Sequence, residues 1–164
     1  MSVTARVILQ GIKKLETEAL IVGFHEDVRP LKGLAGELDW LLCGALSRLI
    51  LKNKLRGALG EVALLTSRGK VPARKIFMVG LGPKAGFSLA SLRSAAETAA
   101  GSARGAGVRN AAMEYFPLAD ESPDRVASAF QEGVSRGAAG GALDVFLLAP
   151  DADAYKKLSS LIKG

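Results

Sequence analysis

The sequence predicts a three-layer α/β/α sandwich around a mixed, mostly parallel sheet. Three observations predict it. From residue 74 onward, strand-like runs alternate with helical patterns, the order that lays helices over a parallel sheet through right-handed crossovers. The run Glu18–Phe24 (EALIVGF) is apolar almost without interruption, as in a strand covered on both faces. The 164 residues are 49% hydrophobic, with no internal repeat and no linker, so residues 1–164 are expected to form one domain with its own core.

Each element has its own signal. Ser2 to Gln10 places Val3, Ala5, Val7 and Leu9 on one face with period two, a strand. Together with Glu18–Phe24 it suggests a hairpin or meander, the source of the mixed sheet. His25, Glu26 and Asp27 then open a polar loop. From Leu34 to Leu51, apolar residues recur at 34, 38, 41, 42, 45, 46, 49 and 50, one wide helical face. Gly36 is the expected weak point of that helix. Leu59–Ser67 is a strand, Arg68-Gly69-Lys70 a turn, and Arg74–Val79 a central strand by composition.

Ser88 is placed to cap the next helix, whose inner face is Leu89, Leu92, Ala96, Ala99 and Ala103 and whose end is marked by Gly105 and Gly107. Asn110–Phe116 is a strand. Ser122-Pro123 starts another helix, with Val126, Phe130 and Val134 recurring every fourth residue. Ala142–Leu148 is the last strand. Asp151 or Asp153 caps a final helix with Tyr155, Leu158 and Leu161 facing inward.

Composition excludes several kinds of chemistry. One histidine and one cysteine leave no metal cluster, no internal disulfide and no histidine-based triad beyond His25. Cys43 is expected to be a small buried hydrophobe in a reducing compartment. The carboxylates are scattered, Glu114 among them, and His25-Glu26-Asp27 is the only dense polar triplet. No catalytic residue, metal site or cofactor is expected. The opening stretch MSVTARVILQGIKKLETEA shows no long apolar run and no cleavage-like site, and no segment approaches bilayer length, so a cytoplasmic chain without membrane contact is expected.

Charge is unevenly placed within a net +6. Residues 1–109 hold 17 basic and 8 acidic side chains, whereas residues 110–164 hold 5 and 8. Arg48, Lys52, Lys54, Arg56, Arg68, Lys70, Arg74 and Lys75 stand in one segment against Glu61 alone. That segment is a candidate face for nucleic acid or an acidic partner, or simply a solvated surface. It lacks interleaved aromatics, which argues against single-strand recognition.

The second candidate is the loop GLGPKAG. Gly80, Gly82, Lys84, Gly86 and Ser88 stand where a strand turns into a helix, and amides there can hold an anion. Neither a dinucleotide nor a triphosphate fingerprint is present, and Pro83 removes one donor. A plain strand-to-helix turn is the simpler reading.

Taken in order, Gly44-Ala45-Leu46-Ser47-Arg48-Leu49-Ile50, Arg56-Gly57-Ala58-Leu59-Gly60-Glu61, Arg74 to Gly82 and the helix from Ser88 resemble the amino-terminal domain of cytosolic leucyl aminopeptidases, a family of metallopeptidases. The resemblance covers about residues 18 to 148. It implies a macro-domain-like fold. It also implies that the two-metal site and the catalytic lysine and arginine belong to a separate carboxy-terminal domain, so no catalytic residue passes to any position here. What the resemblance implies is a scaffold that supports oligomer assembly, with DNA binding in some bacterial members. The expected function is therefore a non-catalytic structural or interaction domain with a protein partner or a homo-oligomer. Nucleic-acid binding through Arg48–Lys75 and small-anion or nucleotide binding at Gly80–Gly86 are the alternatives.

Overall fold

The computed structural model describes residues 3–162. Ser2, which the alternating pattern included, and the last two residues lie outside them. Along the chain come β1 (Val3–Ile8), β2 (Ala19–Phe24), α1 (Gly33–Leu41), α2 (Ala45–Leu51), β3 (Val62–Thr66), β4 (Lys75–Gly80), a 3-10 turn at Lys84–Gly86, α3 (Leu89–Gly105), β5 (Asn110–Glu114), α4 (Pro123–Gly137), β6 (Leu143–Leu148) and α5 (Ala152–Leu161).

The strands make one six-stranded sheet in the order β1-β6-β5-β2-β4-β3. Every neighbouring pair is parallel except β3 on β4. The expected hairpin of β1 and β2 is therefore incorrect: β6 and β5 lie between them. Residues 9–18 cross the sheet instead, burying Ile12 and Leu15 on the way. The mixed character comes from β3 at the opposite edge. Alternation identifies a strand but carries no information about its partner, which non-local packing selects.

Two apolar layers flank the sheet. On one face α3, α4 and α5 bury Leu92, Ala96, Phe130, Val134 and Leu158 against Ile21, Phe77, Met113 and Val145. On the other, α1 and α2 bury Leu38 and Leu46 against Leu20, Val22, Ile76 and Met78. β2 is buried along its whole length, as its continuous apolar run requires. α3 and α4 approach closely because α4 offers no side chain there. A Cβ on Gly133 or Gly137 would collide with the Arg93 or Glu97 carbonyl oxygen.

Three local expectations are corrected. The segment 34–51 is two helices, broken at residues 42–44 rather than near Gly36. Cys43 and Gly44 turn the chain there through positive φ of 56° and 81°. Cys43 is consequently exposed rather than buried, because the left-handed corner puts it outside the apolar face. Tyr155 is also exposed, although Leu158 of the same helix is buried. The caps follow the sequence: Ser88 Oγ accepts the Ser91 amide, and Asp151, not Asp153, caps α5 through the Ala154 amide.

Candidate functional site

Two crevices lie at the carboxyl ends of the parallel strands. β2 leads through α1, α2 and the edge strand β3 to β4 on one side, and β5 leads through α4 to β6 on the other. The sheet order thus reverses between β2 and β5, the place where open α/β sheets hold ligands. A crevice of about 230 Å³ lies there, walled by Phe24, Phe87, Phe116 and Leu81, with His25, Lys32 and Lys84 also lining it. The His25 ring meets Phe87 edge-on at 5.2 Å, and its Nδ1 lies 3.1 Å from the Gly82 carbonyl oxygen. A second crevice, of about 420 Å³, lies under the start of α1 between Gly33, Glu37, Tyr115 and Leu148.

Glu114, the last residue of β5, lines both crevices. Its Oε2 is enclosed and has no hydrogen-bond partner. Burial pushes its carboxyl up to about 8, although the Gly23 amide favours the charged form. Burial also raises the neighbouring Tyr115 hydroxyl. Sequence reasoning counted Glu114 among scattered carboxylates. The available signal is a lone charge inside the apolar run NAAMEYF.

The glycine loop leaves β4 beside this crevice, but its glycine amides and that of Lys84 are engaged. The Gly80 amide donates to Glu61 O, Leu81 to Phe24 O, and Gly82 to Gly57 O. The Lys84 amide donates to Asp27 Oδ1, and the Gly86 amide to Pro83 O. The Gly82 carbonyl accepts the Glu26 amide. Gly80 has no room for a side chain, since a Cβ would meet Ala58 O, and Gly82 holds φ of 74°. Both glycines are explained by close packing and chain reversal. Lys84 and Gly86 are exposed, and the Ser88 hydroxyl is the α3 cap.

The basic segment is not gathered at one point. Arg56 lies at the carboxyl end of the sheet, where its carbonyl accepts from Arg29 and its amide donates to Glu61. Arg68, Lys70, Arg74 and Lys75 lie at the amino end of β4. The length of the strand, about 17 Å, separates the two groups. Arg48 donates to the Cys43 carbonyl and so closes the end of α1, while Lys52 and Lys54 follow α2 and are exposed. Lys70 and Arg74 share a concavity of about 460 Å³ with Lys13, a residue outside the segment.

The helical face over α1 and α2 is apolar in places where nothing covers it. Trp40 is 77% exposed and Leu51 81%. Trp40, Leu41, Cys43, Gly44 and Lys70 line an open groove of about 780 Å³. Among the described residues, no group of three or more His, Cys, Asp or Glu is placed to hold a metal ion. No helix among them is long and apolar enough to cross a membrane.

This sheet order, with crevices at the carboxyl ends, defines a macrodomain-like α/β protein. A Trypanosoma brucei macrodomain solved in complex with ADP-ribose superposes with a TM-score of 0.75 at 14% identity, covering 97% of this chain and 69% of that one. A tomato leucine aminopeptidase mutant superposes at 0.71 with 21% identity, over 96% of this chain and 35% of the enzyme. Sequence then narrows the class. Residues 21–139 match the N-terminal domain of the cytosol aminopeptidase family, and the chain belongs to that family. A probable cytosol aminopeptidase of Geobacter sulfurreducens is 37% identical over 120 residues, which are 73% of this chain and 24% of the relative. The chain thus corresponds to about a quarter of the curated relatives it matches, and the region matched is their N-terminal domain.

Proposed function

We propose that this chain is a non-catalytic interaction domain that supports assembly, either of copies of itself or with a protein partner. The exposed apolar face of α1 and α2 carries this reading. A tryptophan left largely in water at a groove is the residue type that anchors protein interfaces, and the exposed Leu51 extends the apolar surface of α2. The family match supports it too, since only the N-terminal domain of the aminopeptidases is represented. The names of the relatives support a cytoplasmic setting.

Trp40 is the only tryptophan, so it reports on its own burial. The expected result is a concentration-dependent rise in mass by light scattering, with Trp40 fluorescence shifting to the blue and becoming protected from acrylamide. Trp40→Ser should leave circular dichroism unchanged and abolish the association. A monomer at all concentrations, with no partner that protects Trp40, would reject the reading. The same preparation should not hydrolyse leucyl amides with manganese, zinc or magnesium added.

Nucleic-acid binding is the second reading, and the concavity of Lys13, Lys70 and Arg74 favours it. Such contacts would be to phosphates, and therefore non-specific and salt-dependent. The engagement of the Gly80, Gly82, Lys84 and Gly86 amides supports a turn at that loop over a nucleotide grip.

A further inference from the structure

Among the described residues, two buried side-chain atoms lack a hydrogen bond, Arg93 Nε and Glu114 Oε2. Arg93 Nε lies 2.7 Å from a Glu132 carboxylate oxygen and is compensated by charge. Glu114 Oε2 has no such compensation, and neither the assembly reading nor the packing of the sheet uses it. A buried acceptor without a donor is costly, and natural proteins keep few of them.

We propose that the crevice over Glu114 binds a small apolar monoamine, with the protonated nitrogen on the Glu114 carboxylate and the hydrocarbon against Phe24, Phe87 and Phe116. Four observations lead there. Glu114 Oε2 is a buried side-chain acceptor without a donor, and an ammonium supplies the missing donor together with the opposite charge. Phe24, Phe87 and Phe116 line the same crevice and offer apolar surface to the hydrocarbon, while the Arg29 guanidinium already lies over the Phe24 ring. The volume, about 230 Å³, is below that of a typical drug-sized pocket and limits the ligand to a small molecule. Lys32 and Lys84 line the same crevice and oppose a second positive charge, which excludes polyamines.

An anion has less to gain. The Gly82, Lys84 and Gly86 amides already serve protein acceptors, and Glu114 repels an anion once it ionises near pH 8. Glu114 lines the crevice, so its carboxyl group is where an ammonium would meet it. The titratable groups that line the two crevices with Glu114 are His25 and Lys84 after β2 and β4, Lys32 and Glu37 at the start of α1, and Tyr115 after β5. This inference does not depend on the assembly reading.

The test is calorimetry and nuclear magnetic resonance on the full chain with 2-phenylethylamine, against 2-phenylethanol and 3-phenylpropionate as neutral and anionic probes of the same shape. The amine should bind saturably and about tenfold more tightly at pH 9 than at pH 7, following ionisation of a carboxyl that titrates near 8. Glu114→Gln, which keeps the shape, should weaken the amine about tenfold or more and remove the pH dependence. In the wild-type chain the Glu114 carboxyl carbon should titrate at lower pH when the amine is present, a readout that survives if the variant does not fold. Equal binding of the alcohol or the propionate, unchanged affinity in Glu114→Gln, or an unmoved Glu114 titration would overturn the proposal.

Discussion

Asp39 of α1 caps Ser47 of α2. Its Oδ1 accepts the Leu46 and Ser47 amides at 2.8 and 3.0 Å, and its Oδ2 accepts the Ser47 hydroxyl. The helix following a sharp break would otherwise begin with unsatisfied amides, since Gly44 at its N-cap has no side chain to offer. A carboxylate from the preceding helix does the work and fixes the angle between the two. Asp39→Ala should therefore lower the free energy of unfolding by about 1–2 kcal/mol in urea titrations. Ser47→Ala, which keeps both amide bonds, should cost less. Equal effects would mean that the hydroxyl, not the cap, holds the corner.

The contact between α3 and α4 makes a sharper prediction. Gly133→Ala improves helical propensity, yet its Cβ would lie 2.4 Å from the Arg93 carbonyl oxygen. Backbone cannot yield as a flexible side chain does, so the helices must separate, at a cost of about 1–3 kcal/mol. Gly105→Ala meets nothing within 4 Å and should instead stabilise by about 0.4–1 kcal/mol. Thermal melts of the two variants should move in opposite directions.

Stability should peak in mildly acidic solution. The Arg109 amide, through its hydrogen bond, holds Glu18 below the usual carboxylate range. That contribution is present above the ordinary glutamate value and is lost as pH falls through the lowered one. Glu114 acts in the opposite sense. Its value is raised to about 8, so the folded chain keeps a proton that the unfolded chain has released, and stability falls as pH rises from the ordinary range to about 8. Midpoints of thermal unfolding should be lower at pH 9 than at pH 6, and Glu114→Gln should flatten that alkaline limb. A limb unchanged by the substitution would show that another group causes it.

The division of the basic segment can be measured. If a short duplex binds at low salt, reversing Lys70 and Arg74 should weaken it more than reversing Lys52, Lys54 and Arg56. The first pair shares a concavity with Lys13, and the second set lies at and beyond the far end of α2. The slope of log affinity against log salt should flatten only for the first pair. Equal losses would mean that the charges act as one diffuse field.

One sheet links both apolar layers, and helices on each face close over it. Calorimetry and circular dichroism should therefore report one coincident unfolding transition across the chain. Two separated transitions would divide the domain that the sequence leads us to expect.

By itself the sequence determined the identity and order of nearly every element. Period-two alternation, continuous apolar runs, capping residues and the Ser122-Pro123 start are local signals, and local signals survive in a linear string. The macrodomain-like class and the family were legible for the same reason, through GALSRLI, the Gly57–Glu61 turn and the strand ending in Gly80-Leu81-Gly82. Tertiary structure alone decided which strands are neighbours, and so moved β1 away from β2. It set the helix break at Cys43 and Gly44, where backbone with positive φ and the Asp39 cap outweigh a helical pattern that runs straight through. It spread the basic residues over the length of a strand, although they stand together in the sequence. It also selected Glu114. Burial without a partner is a property of surroundings, and the surroundings of Glu114 come from β2, β5, α1 and the loop after β4, segments that meet only when the sheet closes.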